Sequence, residues 1–231
     1  MRLLAFETAT EACSVAVLVD GEVLERFEIA PRRHAELALP WADELLAQAG
    51  VAKSQLDAVA VGRGPGAFTG VRLAVALAQG IALALDRPVV AVSTLAALAA
   101  RADGERVLAA IDARMGEVYL GRFLRAGDEL QTTGAETVVR PDLADLPGTG
   151  LWAGVGTGFD AADGALRQRL GGALSSVDAD ALPRAGDVAR LGARAFARGE
   201  AIAPDRLQPA YLRDNVALTL AQQQAARAAR G

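Results

Sequence analysis

The fold is decided by the stretch GRGPGAFTGVR at residues 62–72. The apolar residues 58–61 before it indicate a short buried strand, and the apolar residues 73–85 after it indicate a helix. The glycines of the stretch let the backbone take positive φ angles and approach another surface closely. Thr69 is predicted to cap the helix, with Arg72 in its first turn. The loop therefore serves either as a tight turn that packs helix on strand or as a contact for a ligand or partner.

This loop does not have the sequence of a dedicated phosphate loop. No Lys-Ser or Lys-Thr pair follows its last glycine, and its spacing does not match G-x-G-x-x-G. Free N–H groups at the start of a helix can nevertheless bind an anion. A weak nucleotide or anion site is therefore predicted here, with the candidate residues Gly64, Gly66, Thr69, Gly70 and Arg72.

The amino-terminal residues predict three strands, at residues 2–6, 13–19 and 22–29, with a hairpin turn at 20–21. A polar loop follows the first strand, as it does in the actin, Hsp70 and sugar-kinase superfamily. Active members of that superfamily have glycines in this loop, whose N–H groups wrap phosphates. The present loop offers hydroxyl and carboxyl groups but no glycine, so its own candidates for a weak nucleotide or anion site are Glu7, Thr8 and Thr10.

The second half of the chain begins much as the first half does. Residues 106–112 are apolar and end in an acid, as residues 2–7 do, and a turn at 115–116 leads into a strand at 117–124. Glu7 and Asp112 then hold equivalent places, so Asp112 joins the candidate site, and an internal duplication is indicated. The prediction is an α/β, two-lobed actin/Hsp70/sugar-kinase-like (ASKHA) fold. The lobes divide near a linker at 102–105, into residues 1–103 and 104–231.

The later elements have weaker patterns. Residues 152–158 indicate a strand that runs into a glycine loop, which either faces an adenine or is only a turn. A helix is expected at 159–170, mostly loop at 171–183, and a second helix at 187–198. The Ala/Gln/Arg-rich tail beyond Arg213 is expected to be a marginal helix or disordered.

Composition restricts the class of protein. The 231 residues are 52% hydrophobic and 23% charged, which argues against disorder, and the net charge of −4 gives no general attraction to nucleic acid. The single cysteine, Cys13, excludes an internal disulfide and is expected to be buried. The longest apolar run, residues 73–85, is shorter than the about 20 residues that a membrane span needs. A cytoplasmic protein with no membrane segment is predicted.

The residues for metal or acid–base chemistry are few. His34 is the only histidine, so a paired-histidine metal site cannot be built from one chain, and no metal site is predicted. His34 starts a predicted helix, where a surface or capping role explains it better than a catalytic triad. Glu7, Asp112 and Glu117 could pair across a cleft, although their spacing does not establish that they converge.

The helix predicted at residues 34–50 has a wide apolar surface. Leu37, Trp41 and Leu45 repeat every four residues, and Pro40 is expected to kink the helix. One interpretation is a core helix. The other is a surface helix whose apolar flank receives a second protein.

Several segments resemble one known family. Residues 62–72 resemble the GRGPGSFTGVR signature of the bacterial TsaB (YeaZ) family. TATEACSVA at 8–16, IDARMGEVY at 111–119 and YLR at 211–213 match that family in the same order. The resemblance covers the chain from residue 2 to about residue 216. One departure is Glu7, which stands where the family pattern has Asp and makes a metal–water role less secure.

The resemblance implies a non-catalytic subunit that pairs with a catalytic paralogue, TsaD, through helices of the first lobe. Together with the ATPase TsaE, the complex would add threonylcarbamoyl to adenosine 37 of tRNAs that read ANN codons. The chain would have no cofactor of its own, with ATP or ADP possible at the interface with partners; it would meet tRNA only through the complex and form a homodimer when alone. The alternative is a free-standing nucleotide-dependent phosphotransferase or ATPase of the same fold. The implied partner-binding residues are His34, Leu37, Leu39, Trp41, Ala42, Leu45 and Leu46, with Leu39 and Ala42 on the outward flank.

Overall fold

The computed structural model describes residues 1–127, 129–145 and 148–213, and the predicted tail beyond Arg213 lies outside the described residues. The first sheet contains β1 (Arg2–Glu7), β2 (Ala12–Val19), β3 (Glu22–Ile29), β4 (Ala58–Gly62) and β5 (Val89–Val92). The second sheet contains β6 (Arg106–Arg114), β7 (Glu117–Ala126), β8 (Glu129–Thr132), β9 (Thr137–Val139), β10 (Trp152–Val155) and β11 (Leu174–Asp178). The helices are α1 (His34–Gln48), α2 (Phe68–Leu85), α3 (Thr94–Ala99), α4 (Ala161–Leu170) and α5 (Ala185–Ala197).

The two sheets have the same topology. The first runs β3-β2-β1-β4-β5, and the second runs β8-β7-β6-β10-β11, with β9 as an additional partner of β7. Strand β1 is antiparallel to β2 and parallel to β4, and strand β6 is likewise antiparallel to β7 and parallel to β10. Residues 2–7 and 106–112 therefore lie on equivalent strands. The predicted internal duplication and two-lobed actin-like architecture are confirmed.

Helices cover both faces of the first sheet. The residues of β1 and β2 alternate between its two faces: Leu4 and Phe6 pack with α1 and α2, whereas Leu3 and Ala5 pack with α5. Helix α3 packs on β6 and β7 of the second sheet. Helix α3 of the first half thus packs on the second sheet, and helix α5 of the second half packs on the first sheet. The sheets fall on either side of residues 102–105, but the helix packing crosses that point.

The structure corrects the start of α2. The helix begins at Phe68, before both the apolar run at 73–85 and the predicted cap at Thr69, and Ala67 occupies the capping position. Thr69 was predicted as the cap, and this is wrong because a tertiary hydrogen bond, from Ala67 N to the carbonyl of Ala9 at 2.7 Å, fixes the turn before it. Arg72 consequently lies just beyond the first turn. Of the four loop glycines, only Gly64 has a left-handed φ, of +95°.

Helix α2 is also long and apolar enough to cross a membrane by length and composition alone. The prediction that it is too short rested on residues 73–85, and the longer helix removes that reason. Core helices pass the same test, and α2 buries one face of small and branched residues in the first lobe. Those buried residues are Gly70, Val71, Ala74, Val75, Ala78 and Ala82.

Other local predictions have mixed outcomes. Gly50, the last residue of the helix predicted at 34–50, follows α1 with a φ of +64°. Ser93 caps α3 by accepting a hydrogen bond from Ala96 N at 3.2 Å. The segment 171–183 was predicted to be mostly loop, and this is wrong because it contains β11, which pairs in parallel with β10. The helix predicted at 159–170 is interrupted, since residues 162–164 have left-handed φ values.

Candidate functional site

A cavity of about 580 Å³ lies between the two lobes. Its walls come from the β1–β2 loop, the glycine loop with the start of α2, the β6–β7 hairpin and residues 209–213. Of the predicted nucleotide or anion site, four residues line the cavity: Thr10, Gly66, Arg72 and Asp112. The other five do not line it: Glu7, Thr8, Gly64, Thr69 and Gly70.

Glu7 points into the protein instead of the cavity. Its side chain is 1% exposed, and its carboxylate accepts hydrogen bonds from Ala9 N at 2.8 Å and from the Thr94 hydroxyl at 2.9 Å. Gly64 N donates to the same Thr94 oxygen at 3.1 Å, which connects the glycine loop to the start of α3. Burial raises the pKa of the Glu7 carboxyl to about 7, although the hydrogen bonds from Ala9, Thr94 and Thr8 oppose the rise.

The glycine loop packs backbone to backbone on the β1–β2 loop. The Thr8 hydroxyl donates to the carbonyl of Gly70 at 2.7 Å. A Cβ on Gly70 would collide with the carbonyl oxygen of Thr8. A Cβ on Gly66 would lie 2.7 Å from the Cβ of Ala9. Both glycines therefore serve a close approach between two loops. This favours the packing interpretation of the stretch over a phosphate cradle.

In the β6–β7 hairpin, as at Glu7, an acidic side chain binds a backbone amide of its own loop. Asp112 accepts from Arg114 N at 2.8 Å through one oxygen and from the Arg114 guanidinium at 3.0 Å through the other. The amide of Asp112 itself donates to the hydroxyl of Thr157 at 3.2 Å. In both loops, an acidic side chain thus accepts from the backbone N–H two residues later.

The cavity rim contains a stack that the sequence interpretation missed. The Arg72 guanidinium carbon lies 3.2 Å from the centroid of the Phe68 ring and 4.9 Å from that of Tyr211. Phe68 and Tyr211 are 67% and 59% exposed. The spacing of Phe68 and Arg72, four residues apart on a helix, was an available signal for their contact. No sequence signal indicated the contact between Arg72 and Tyr211, because it joins segments that are distant in sequence.

The titratable groups around the cavity have separate partners. His34 Nε2 lies 3.0 Å from the carbonyl oxygen of Thr10, which can only accept, so this nitrogen bears the proton. Glu117 pairs with Arg213, whereas Glu7 and Asp112 have the partners given above. The structure therefore does not bring the three acids together. Within residues 1–127, 129–145 and 148–213, no three His, Cys, Asp or Glu side chains are grouped so that they could hold a metal ion.

The glycine loop after β10 is mainly a packing feature. A Cβ on Gly154 would lie 2.6 Å from the Phe159 ring, and one on Gly158 would lie 2.7 Å from the Cβ of Ala110. Thr157 is the loop residue that reaches the cavity wall. The turn interpretation of this loop is thus favoured over contact with an adenine.

Helix α1 presents only part of the predicted partner surface to solvent. Leu39 is 46% exposed, and Leu37 and Trp41 are half-buried. Ala42 was predicted on the outward flank, and this is wrong because it is 2% exposed and packs in the core of the first lobe. Leu45 and Leu46 are buried in the same core. His34 lies at the cavity wall.

Helix α2 adds an exposed face that the sequence interpretation did not single out. Its solvent-exposed residues carry no charge: Phe68, Thr69, Ala76, Gly80, Leu83 and Ala84. Leu83 is among the large hydrophobic side chains that the fold leaves exposed. The outer side of the first lobe is therefore apolar along α2 and at Leu39 of α1.

Residues 27–220 match the family model described as "TsaD: tRNA N6-adenosine threonylcarbamoyltransferase". The chain is 40% identical to the tRNA threonylcarbamoyladenosine biosynthesis protein TsaB of Escherichia coli (strain K12), over 94% of this chain and 96% of that protein. It is 39% identical to the protein of the same name from Haemophilus influenzae, over 94% of this chain and 95% of that protein. The solved structure of YeaZ from Pseudomonas aeruginosa superposes with a TM-score of 0.86 at 47% identity, covering 91% of this chain and 99% of that one.

Proposed function

Because the chain belongs to the TsaB family of tRNA threonylcarbamoyladenosine biosynthesis proteins, we propose that it acts there as a non-catalytic subunit. In this proposal it pairs with the catalytic paralogue TsaD and activates it. The ATPase TsaE joins the pair, and the complex modifies adenosine 37 of tRNAs that read ANN codons. The chain meets tRNA only through this complex, in the cytoplasm.

One observation carries the non-catalytic role: one backbone amide in each of three loops at the cavity is already bound within the protein. Ala9 N is bound to Glu7, Arg114 N to Asp112, and Ala67 N to the carbonyl of Ala9. A phosphate that took the amides of Ala9 and Arg114 would have to displace the carboxylates of Glu7 and Asp112 and lie beside their negative charge. These contacts support a protein that has no nucleotide cofactor of its own. ATP or ADP, where it takes part, would then lie at the interface with partner proteins.

The apolar outer face of α2 and the exposed Leu39 of α1 support pairing. The solvent-exposed residues of α2 carry no charge, so they can be buried against another protein with no cost for desolvating an ion. Leu39 and Leu83 would supply branched side chains, and Ala76 and Gly80 would allow helices to approach closely. Without TsaD, the same face can pair with a second copy of this chain, which gives a homodimer.

The test is reconstitution from purified TsaD, TsaE, tRNA and threonylcarbamoyl-AMP, with and without this chain. We expect modified tRNA only when the chain is present, and neither threonylcarbamoyl transfer nor ATP hydrolysis by the chain alone. Full transfer by TsaD and TsaE without the chain would contradict the activating role. Steady ATP hydrolysis by the isolated chain would instead favour the free-standing phosphotransferase or ATPase.

A further inference from the structure

The last described residues run along the first lobe and end on the second lobe. Gln79 of α2 donates from Nε2 to the carbonyls of Pro204 and Leu207, at 3.1 Å each. Leu207 is buried in the core of the first lobe, and Ala210 N donates to the carbonyl of Arg63 at 2.8 Å. Up to Ala210, the segment is therefore attached to the first lobe alone.

Arg213 connects this segment to the second lobe. Its guanidinium donates to the carboxylate of Glu117 and, at 3.3 Å, to the carbonyl of Ala113, and Nη1 lies 3.6 Å from the sulfur of Met115. Ala113 and Glu117 belong to β6 and β7, on either side of the hairpin turn. The Arg213 side chain thus binds the tip of the second-lobe hairpin that forms a wall of the cavity.

The contact between Arg213 and the hairpin is weak enough to be reversible. The Arg213 and Glu117 side chains retain 21% and 32% of their exposure, so solvent screens their attraction. Backbone hydrogen bonds and the buried Leu207 keep the rest of the segment on the first lobe. These attachments do not depend on the contact between Arg213 and Glu117.

We propose that Arg213 is a latch that sets the width of the cleft between the lobes. When it binds Glu117 and Ala113, the hairpin is held toward the first lobe and the cavity is closed at this side. When it releases, the lobes separate about the helices α3 and α5, which contact each other and each pack on the other half's sheet. This inference is independent of the proposed function, because it concerns the free chain.

Spin labels can measure the cleft width directly. Cys13 is buried and its thiol pKa is raised to about 11 by burial, so it will not react with the label. Cysteines introduced at Glu36 of the first lobe and Asp142 of the second are exposed. Labelled protein diluted with unlabelled protein gives the distance within one chain by electron double resonance, and hydrogen exchange reports on the β6–β7 hairpin.

In R213A we expect a longer and broader distance distribution and about fivefold faster exchange in the hairpin, the amount expected for one partly exposed pair. E117A should change both measurements in the same direction, and the double variant should add little to either single one. The control is R206A, an exposed arginine of the same segment on the first-lobe side, which should leave both unchanged.

The wild-type chain gives a second test that needs no variant. Raising NaCl from about 0.1 M to about 1 M shortens the screening length from about 10 Å to about 3 Å and should open the cleft. Unchanged distances in R213A, or the same opening in R206A, would overturn the latch. If R213A fails to fold, R213K and the salt series decide instead, and a distance that is constant in both would overturn it equally.

Discussion

Glu7 couples the end of β1 to the start of α3 through a carboxyl group that is buried. Its two oxygens accept from Ala9 N and from Thr94, so the group is satisfied by hydrogen bonds but has no cation beside it in these contacts. Burial penalises the charged form and raises the pKa from its ordinary value of 4.5 to about 7. Protonation at this site is therefore linked to the stability of the fold.

The sign of that linkage gives the first prediction. A folded-state pKa above the unfolded value stabilises the fold below about pH 4.5, and the stabilisation is lost as the pH rises through about 7. E7Q keeps an acceptor for Ala9 N but does not titrate. The free energy of unfolding of wild type minus that of E7Q should thus fall between pH 5 and pH 8, by up to about 3 kcal/mol. Urea denaturation at both pH values measures it, with exposed E11Q as the control, and a constant difference would contradict it.

Two glycines of α2 make a matched pair for the second prediction. G70A places a Cβ against the carbonyl of Thr8 and should lower the free energy of unfolding by about 2–4 kcal/mol. G80A meets nothing within 4 Å and should raise it by about 0.5–1 kcal/mol, because alanine favours a helix. The reason for Gly70 is bulk alone, since the expected positive φ is absent at Gly66 and Gly70. Urea denaturation of both variants measures the two free energies of unfolding, and an equal change in both would contradict the prediction.

At the scale of the element, the exposure of α1 separates two substitutions that the sequence treats alike. L39E alters an exposed side chain, so the monomer should stay folded while pairing with TsaD and with itself weakens at least tenfold. A42E puts a charge into the core and should unfold the first lobe. Circular dichroism and light scattering distinguish these outcomes, with exposed Q48E as the charge control. A folded L39E that pairs like wild type would place the contact elsewhere.

The sequence predicts elements whose signals are local. Strands β1 to β5 have apolar runs or alternation with turn residues between them, and α1 has a glycine at its end. Strand β11 was missed because its residues, LSSVD, resemble a loop and are ordered by pairing with β10. The start of α2 was missed for a related reason, since Ala67 is held by Ala9 from another loop.

The candidate site was likewise predicted only in part, because the sequence reveals only features that have local signals. Loop residues at strand ends face a cleft between two lobes, which brings Thr10 and Asp112 to the cavity. Periodicity and spacing do not reveal which way a loop side chain turns, so Glu7 and Thr8 were placed there as well. The partner surface shows the same limit, because a stripe on a helix wheel does not say which flank meets the sheet.

At the scale of the whole molecule, the resemblance to the TsaB family is confirmed by identity that extends over almost the entire chain. The lobes themselves are less independent than the sequence division suggests. One face of the first sheet, including Leu3, Leu18 and Val90, is covered by α5 from the second half of the chain. In return, Leu95 and Leu98 of α3 are buried on the second sheet.

This exchange of helices predicts how fragments behave. Residues 1–103 alone would expose the face that α5 covers, and each buried Leu or Val contributes about 1.5–3 kcal/mol, so the fragment should not fold to a stable monomer. Supplying residues 104–231 as a second chain should restore soluble protein. Joining residues 185–207 to residue 103 through a long Gly/Ser linker should also rescue the first lobe, because it returns α5 alone. Circular dichroism, thermal melting and light scattering test all three. Cooperative melting of monomeric 1–103 would mean that the first lobe is a domain without α5, and that the division near residues 102–105 is one of folding as well as of sequence.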